Sequence, residues 1–147
     1  MLSLLVLLLL TGFEDRSQAV EQRVFDAINH ERRVHGLPAL RWSNRIALQA
    51  RYHSARMLVK GFFSHQDPKF GGTAERLSIV GIPWRTCGEN IFQEHGYNDP
   101  VRAAVEGWMQ SPGHRQNILT KRFTDTGIGV QLGKDGTYMM TQIFAAF

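Results

Sequence analysis

The sequence predicts an α+β fold, a three-layer α-β-α sandwich in which helices cover both faces of a central, mainly antiparallel sheet. Helical patterns fill the first half of the chain, and strands interleaved with helices follow. The chain ends in two strand-like runs, Thr126 to Leu132 and Tyr138 to Phe147, joined by the turn sequence Gly133-Lys134-Asp135-Gly136. A hairpin makes its two strands antiparallel, and the helical crossovers that parallel pairs require are missing there.

The first residues form a separate apolar segment. Leu2 to Leu10 are apolar apart from Ser3, and the small-x-small sequence Ser17-Gln18-Ala19 follows, as at a signal-peptidase site. We therefore interpret residues 1–19 as a signal peptide and residues 20–147 as one domain that is secreted or held at the cell envelope. A membrane anchor is the alternative, but the apolar stretch is shorter than the ~20 residues of helix that cross a bilayer, so we expect no integral membrane span.

Composition and charge exclude several classes of protein. Hydrophobic residues make up 43% and charged residues 20% of the 147 residues, which is ordinary for a single globular domain and argues against disorder. The formal charge of +4 is modestly basic, but Lys and Arg are scattered rather than striped with aromatic residues, so no nucleic-acid partner is expected. Cys87 is the only cysteine, which excludes an internal disulfide and leaves the core to stabilise the fold.

Two helices are predicted at the start of the domain. The first begins at Val20, where apolar residues recur at helical spacing, and ends at Gly36. After an extended stretch from Leu37 to Leu40, Ser43 is a good N-cap for a second helix, which Gly61 closes. His53 lies on the apolar face of this second helix, where a core histidine with hydrogen-bonded ring nitrogens is favoured over a ligand.

The middle of the chain alternates between loops and regular elements. Ser64 to Pro68 is predicted to be a loop, and loops carry functional sites more often than cores do. A short helix from Thr73 to Val80 precedes a strand from Arg85 to Gln93, in which Gly88 lets another group approach the backbone closely. The next helix starts at Asp99-Pro100, where a capping oxygen is followed by a proline in the first turn.

The end of that helix places a histidine where helical periodicity does not explain it. Pro112 disfavours the helical conformation of Ser111, and Gly113 permits almost any backbone angle, so the helix stops there. We expect His114 just past the helix end, where its side chain can point into a groove. Two other polar stretches, around His65 and Glu89, are the expected partners of His114.

Five blocks of residues, in order along the domain, carry a resemblance. They are Asn29-x-x-Arg32-x-x-x-Gly36-Leu37-x-x-Leu40-x-Trp42, Phe63-Ser64-His65, Gly88-Glu89-Asn90-Ile91, Trp108-x-x-Ser111-Pro112-Gly113-His114-Arg115-x-Asn117-Ile118-Leu119 and Thr126-Gly127-Ile128-Gly129-Val130. In these blocks the sequence resembles the CAP superfamily, the cysteine-rich secretory, antigen-five and pathogenesis-related proteins with an SCP-like domain. It is most similar to the short secreted bacterial members, over essentially all of residues 20–147.

The resemblance implies an α-β-α sandwich with an open cleft lined by two histidines and acidic residues. The cleft histidines fall on His65 and His114, and the glutamate of the GEN motif falls on Glu89. Ser111 stands where the eukaryotic pattern has a second glutamate, so the full set of four is absent. Glu106 lies one turn too early to replace that glutamate.

Two imidazoles and one carboxylate in a cleft suit a divalent transition metal, zinc above all. We therefore predict His65 and His114 as ligands of zinc or another divalent metal, in a cleft that Glu89 and Ser111 also line. An open coordination position would make the metal a Lewis acid or a source of hydroxide. Without metal, His65 and Glu89 could form a general acid/base pair, with Glu89 as the candidate catalytic residue.

A nucleophile is not evident from the sequence. Ser64 and Ser111 are near the predicted site in sequence only. Cys87 lies two residues before Glu89, but a lone buried cysteine is the commoner outcome. Covalent catalysis therefore has no clear candidate.

Three functions remain open at this point. The first is a secreted binding module whose cleft accepts a metal ion and a peptide or envelope ligand. The second is a metal-dependent extracellular hydrolase, and the third is a lipid or sterol carrier, which the resemblance implies for some members. Glu89 also has a structural alternative, in which it anchors backbone amides or pairs with His114. Structural roles are favoured for Asn90, Arg115 and Asn117, with side chains that tie loops to backbone groups.

Overall fold

The computed structural model describes the backbone of residues 4–147 and the side chains of residues 16–147. Within these residues the chain forms five helices and one four-stranded sheet. The elements are, in order, α1 (Leu4–Val34), β1 (Arg41–Trp42), α2 (Asn44–Lys60), α3 (Thr73–Ile79), β2 (Thr86–His95), α4 (Pro100–Gln110), α5 (Pro112–Leu119), β3 (Asp125–Leu132) and β4 (Thr137–Ala146).

The sheet is mainly antiparallel, as the terminal hairpin predicts. Its strand order is β1-β3-β4-β2, and β4 pairs antiparallel with both β3 and β2. The exception is β1, whose two residues pair in parallel with the start of β3. The sequence predicts only an extended stretch before β1, because two residues are too few to show the alternation of a strand.

Helices cover both faces of the sheet, so the predicted three-layer α-β-α sandwich is confirmed. Residues of β4 alternate between two cores: Met140 and Phe144 face α1, α4 and α5, whereas Met139 and Ile143 face α2 and α3. The larger core contains the fully buried Trp108 of α4. Burial of this apolar surface is the main stabilising contribution in a chain whose single cysteine is unpaired.

Two glycines in β3 let α2 lie directly on the sheet. A Cβ atom at Gly127 would overlap the backbone of Ala47, and one at Gly129 would overlap the backbone of Arg51. No side chain fits at either position, so the Thr126 to Val130 block is needed for the close contact between helix and sheet.

The block that begins at Asn29 is structural as well. Asn29 exchanges two hydrogen bonds with the backbone of Leu40, at 2.8 and 3.1 Å. The buried Arg32 guanidinium donates to the carbonyl oxygens of Ile118 and Thr120 at the end of α5 and to that of Phe123 beyond it. These bonds fix α5 against α1, and so hold the segment that carries His114.

Helix ends follow the predicted local chemistry in most places. Ser43 caps α2 by accepting a hydrogen bond from the Ile46 amide, and Gly61 ends it with a φ of 68°. Asp99 caps α4 by accepting from the Arg102 amide. The helix stop predicted before His114 is present, since α4 ends at Gln110. His114 lies in the first turn of a further helix, α5, which was not predicted, because Pro112 starts a new helix directly after the preceding one ends.

The predicted leader, residues 1–19, falls partly outside the described residues, since residues 1–3 and the side chains before residue 16 are not described. The backbone of α1 is continuous through residue 19 into the domain. Cleavage after residue 19 therefore stays a prediction. Among the helices that the structure describes, none combines the length and the apolar character that crossing a bilayer requires.

Candidate functional site

The candidate site lies at the free edge of the sheet, where β2 pairs with β4 on one side only. Two side chains bond to carbonyl oxygens of this edge strand. The Trp108 indole donates to the Ile91 carbonyl at 3.0 Å, and the Asn117 amide donates to the Glu89 carbonyl at 3.1 Å. Residues of α4 and α5 thus cover the edge strand at Glu89 and Ile91.

Asn90 and Gly88 bring α5 close to β2. The Asn90 amide donates to the His114 carbonyl at 3.2 Å and accepts from Asn117 at 2.9 Å. A Cβ atom at Gly88 would lie 2.9 Å from the Asn117 side-chain oxygen and 3.1 Å from the Phe123 ring. The close approach that Gly88 predicts is therefore present, and the structural roles expected of Asn90 and Asn117 agree with these contacts.

Glu89 is a buried carboxylate with two partners. Its Oε1 accepts from His65 Nδ1 at 2.9 Å, and its Oε2 accepts from Arg76 Nη2 at 2.7 Å. The Glu89 side chain is 2% exposed and that of Arg76 is 1% exposed. A buried carboxylate requires pairing, but the pairing with His114 that the sequence left open is not observed.

Arg76, in α3, is the residue that sequence reasoning missed. Besides Glu89, its guanidinium donates to the backbone carbonyls of His65 at 3.1 Å and Gly71 at 3.3 Å, and to the Thr73 hydroxyl at 3.2 Å. One arginine thus holds both the carboxylate and the backbone of the histidine that the carboxylate contacts. The sequence contains one chemical indication of such a residue, since a carboxylate buried in a strand needs a cation from elsewhere in the chain.

A second ion pair fixes the loop that carries His65. Asp67 is buried and accepts two hydrogen bonds from Arg56 of α2, at 2.7 and 2.9 Å, and further bonds from the amides of Lys69 and Phe70. The hydrogen bonds from Arg56 hold the pKa of Asp67 far below its usual range, despite its burial. The loop between α2 and α3 is therefore anchored two residues from His65.

The imidazole rings of His65 and His114 lie close to each other. Their ring centroids are 6.3 Å apart and the ring planes are tilted by 50°. The His65 side chain is 49% exposed, and His114 is half-buried. Burial, with a smaller contribution from His65, lowers the pKa of His114, so this imidazole stays neutral at neutral pH.

The charge on Glu89 determines the tautomer of His65. Burial acts to raise the pKa of Glu89, but the hydrogen bond from His65 and the charge of Arg76 outweigh it, so the pKa lies below its ordinary value. An ionised carboxylate only accepts hydrogen bonds, so the proton on neutral His65 is on Nδ1. The lone pair of His65 is then on Nε2, the nitrogen that a metal or a ligand can use.

The described residues offer two candidate metal ligands rather than three. Two imidazoles on one tetrahedral ion have ring centroids ~5 Å apart, since each nitrogen lies about 2.1 Å from the metal. The 6.3 Å between the His65 and His114 centroids is wider than that, and both oxygens of Glu89 are already engaged. No cluster of three potential ligands occurs in the described part of the chain. Glu89 instead resembles the carboxylate that, in many metal sites, accepts a hydrogen bond from a metal-binding histidine and so fixes the orientation of its ring.

The other candidate residues have lesser roles. Ser111 ends α4 and precedes α5, and its side chain makes no capping hydrogen bond. Glu106 is exposed and pairs with Arg102 at 3.1 Å, so it does not replace the missing second glutamate. Ser64 accepts a hydrogen bond from the Gln66 amide, as a loop residue does.

Cys87 is half-buried, and burial raises the pKa of its thiol. The protonated thiol is a poor nucleophile. Its side chain packs against the smaller core.

His53 is a core histidine, as its position on the inner face of α2 predicts, but only one of the two ring nitrogens is hydrogen-bonded, since Nδ1 is buried without a partner among the described residues. It is fully buried, and its Nε2 lies 3.0 Å from the Ser64 carbonyl. The same nitrogen is 3.9 Å from Glu89, so His53 lies behind the site rather than in it. Burial lowers the pKa of His53, which keeps the ring neutral beside the Glu89–Arg76 pair.

The fold and the site together define a class of protein, namely α-β-α sandwiches in which two histidines lie close to each other beside a buried glutamate at the sheet edge. The sequence model of the CAP family, described as the cysteine-rich secretory protein family, matches residues 25–144. The chain belongs to this family, as the sequence resemblance predicts.

Relatives of known sequence or structure agree with this assignment. The uncharacterised protein YkwD of Bacillus subtilis is 38% identical over 111 residues, which cover 76% of this chain and 42% of YkwD. An extracellular SCP-domain protein of Bacillus anthracis superposes with a TM-score of 0.80 at 33% identity, over 92% of this chain and 43% of that one. The chain therefore spans less than half the length of these relatives.

A more distant structure shares the fold. NaASP2, whose crystal structure was determined with Zn²⁺, superposes with a TM-score of 0.63 at 12% identity. The alignment covers 87% of this chain and 80% of NaASP2.

Proposed function

We propose that the cleft binds one divalent transition-metal ion, zinc above all, between His65 and His114, and that the domain is a binding module for an extracellular peptide or envelope ligand. The observation that carries this proposal is the hydrogen bond from His65 Nδ1 to Glu89, opposite a second histidine that burial keeps neutral. Metal-binding histidines usually donate their other ring N–H to a carboxylate in this way.

Each residue has a separate task in the proposed site. His65 and His114 would hold the ion, Glu89 fixes the tautomer and ring orientation of His65, and Arg76 keeps Glu89 ionised and in place. A bound ion would supply Lewis acidity and coordination positions for a donor atom of the ligand. With two protein ligands, more positions are open to an outside ligand than in a site closed by four.

A metal-dependent hydrolase is the second candidate, favoured by the same open positions. The contacts argue against Glu89 as its catalytic residue, since both carboxylate oxygens are engaged and its low pKa makes it a poor general acid. The lipid or sterol carrier stays a prediction.

Secretion is proposed from the apolar leader and from the relatives. The Bacillus anthracis protein is described as extracellular. The metal site would then meet ligands outside the cell.

Zinc titration tests the proposal. Calorimetry of the parent protein should show one bound zinc ion, and His65→Ala or His114→Ala should abolish that binding. His30→Ala is the matched control, because His30 is an exposed histidine of α1 whose side chain forms no hydrogen bond or ion pair with the described residues. Binding should be unchanged in this control.

Circular dichroism establishes that each variant is folded. Zinc binding of unchanged affinity in folded His114→Ala would overturn the two-histidine site. Loss of binding in His30→Ala as well would show that zinc binds to surface histidines in general.

A further inference from the structure

Helix α2 is basic along its whole length. Its 17 residues include four basic side chains and no acidic one. Arg51 and Arg56 form ion pairs with Glu21 and Asp67. Within residues 16–147, no carboxylate lies within ion-pair distance of the other two, Arg45 and Lys60.

The outward side of the same helix is apolar. Leu48 is 66% exposed, Tyr52 is 49% exposed and Val59 is 76% exposed. With 3.6 residues per turn, these three side chains lie within about 40° of one another around the helix axis. They form one stripe, called here the outer stripe of α2, on the side opposite the core residues Ile46 and Ala50.

Neighbouring elements extend the outer stripe beside Leu48 and beside Tyr52. A groove of about 110 Å³ joins Leu48 to Val80 after α3, and the Arg45 guanidinium on its rim donates to the Val80 and Gly81 carbonyls. Tyr52 packs against the Phe70 ring, with centroids 5.9 Å apart. The apolar surface therefore extends beyond the helix at these two positions, with Arg45 beside one and Arg56 over the Phe70 ring at the other.

We propose that the outer stripe of α2 docks on the surface of an anionic phospholipid bilayer. A helix with an apolar stripe and a wholly basic set of charges lies in the interface of such a membrane, with the apolar side chains among the acyl chains and the cations at the head groups. This surface is separate from the histidine cleft, so docking goes beyond the metal site and does not depend on it.

Charge selects the bilayer over a second copy of the chain. A two-fold contact through the outer stripe would bring together two copies of a helix that has four basic residues and no acidic one, in a protein whose formal charge is already +4. Like charges at such a contact repel, whereas an anionic head-group layer neutralises them.

A local fluorescence probe tests whether the outer stripe docks on an anionic bilayer, with the full chain as the sample. An environment-sensitive dye is attached at Val59→Cys in a Cys87→Ala background, and vesicles of phosphatidylcholine alone or mixed equally with phosphatidylglycerol are added. The dye should shift to the blue with the mixed vesicles and far less with phosphatidylcholine. Leu48→Ser should weaken the apparent affinity roughly tenfold, because one exposed leucine no longer enters the bilayer.

Val34→Cys with the same dye is the control, because Val34 is as exposed as Leu48 but lies at the end of α1. Its spectrum should not change, even if the leader brings the chain to the vesicles. An absent shift at position 59, or an equal shift at position 34, overturns the proposal. If the dye shifts to the blue when the protein concentration is raised without vesicles, the proposal is also overturned, and the outer stripe is assigned to self-association.

Discussion

Two buried glutamates in this protein are each paired with an arginine, and they differ in what else they contact. Glu21 of α1 accepts from Arg51 at 2.6 Å and from the Val130 amide at 3.1 Å. Glu89 of β2 accepts from Arg76 at 2.7 Å and from His65 at 2.9 Å. Both carboxylates are nearly inaccessible, at 3% and 2% exposure.

The third partner of each glutamate distinguishes the ion pair inside the fold from the ion pair at the candidate site. Glu21 ties α1 to α2 and β3, and the exposed member of its network is the arginine, at 34%. In the Glu89 network the arginine is buried, and the exposed member is His65, a ring that can bind a ligand. The same chemistry thus fixes helices in one place and orients a surface histidine in the other.

The largest difference between the two pairs should appear in stability. Glu89→Ala leaves the Arg76 charge buried without a partner, which should lower the free energy of unfolding by ~3–5 kcal/mol. Glu21→Ala should cost only about 1–3 kcal/mol, because Arg51 is partly exposed and water can replace the carboxylate. Urea denaturation of both variants measures the difference.

A double variant sharpens this test. Replacing both members of the buried pair, as Glu89→Leu with Arg76→Met, removes the unpaired charge and should recover most of the lost stability. A Glu21→Ala variant less stable than Glu89→Ala would contradict the ranking. So would a double variant no more stable than Glu89→Ala alone.

A smaller effect is expected from pH. The pKa of Glu89 is lower in the folded protein than its ordinary value of 4.5, so its ionised form contributes stability above about pH 4.5. That contribution decreases as pH falls from 4.5 through the folded-state pKa. Urea midpoints should therefore fall more steeply below pH 4.5 in the parent than in Glu89→Gln, and parallel curves would contradict this.

Much of the fold was predictable because it depends on local chemistry. Ser43, Gly61 and the Asp99-Pro100 pair mark helix ends through their own side chains and backbone angles, and the hairpin follows from its turn sequence. The short strand β1 was not predictable, because it exists only through its pairing with β3, about 84 residues later.

The candidate site was predictable only in part. His65, Glu89 and His114 are 24 and 25 positions apart, so spacing alone does not select them, and their grouping came from the family resemblance. The role of Arg76 was not predicted. Glu89 was expected to line a cleft with the two histidines, but in the folded chain both of its oxygens accept hydrogen bonds, from His65 and from Arg76.

Zinc affinity tests the difference between the two glutamates most directly. In Glu89→Gln the amide oxygen should accept from Arg76, which turns the amide NH₂ toward His65 Nδ1 and moves the ring proton to Nε2. Zinc affinity should then fall about 10–100-fold. Glu21→Gln makes the same chemical change at the structural pair and should leave zinc affinity unchanged. Equal affinity in Glu89→Gln and the parent would contradict the proposed role of Glu89.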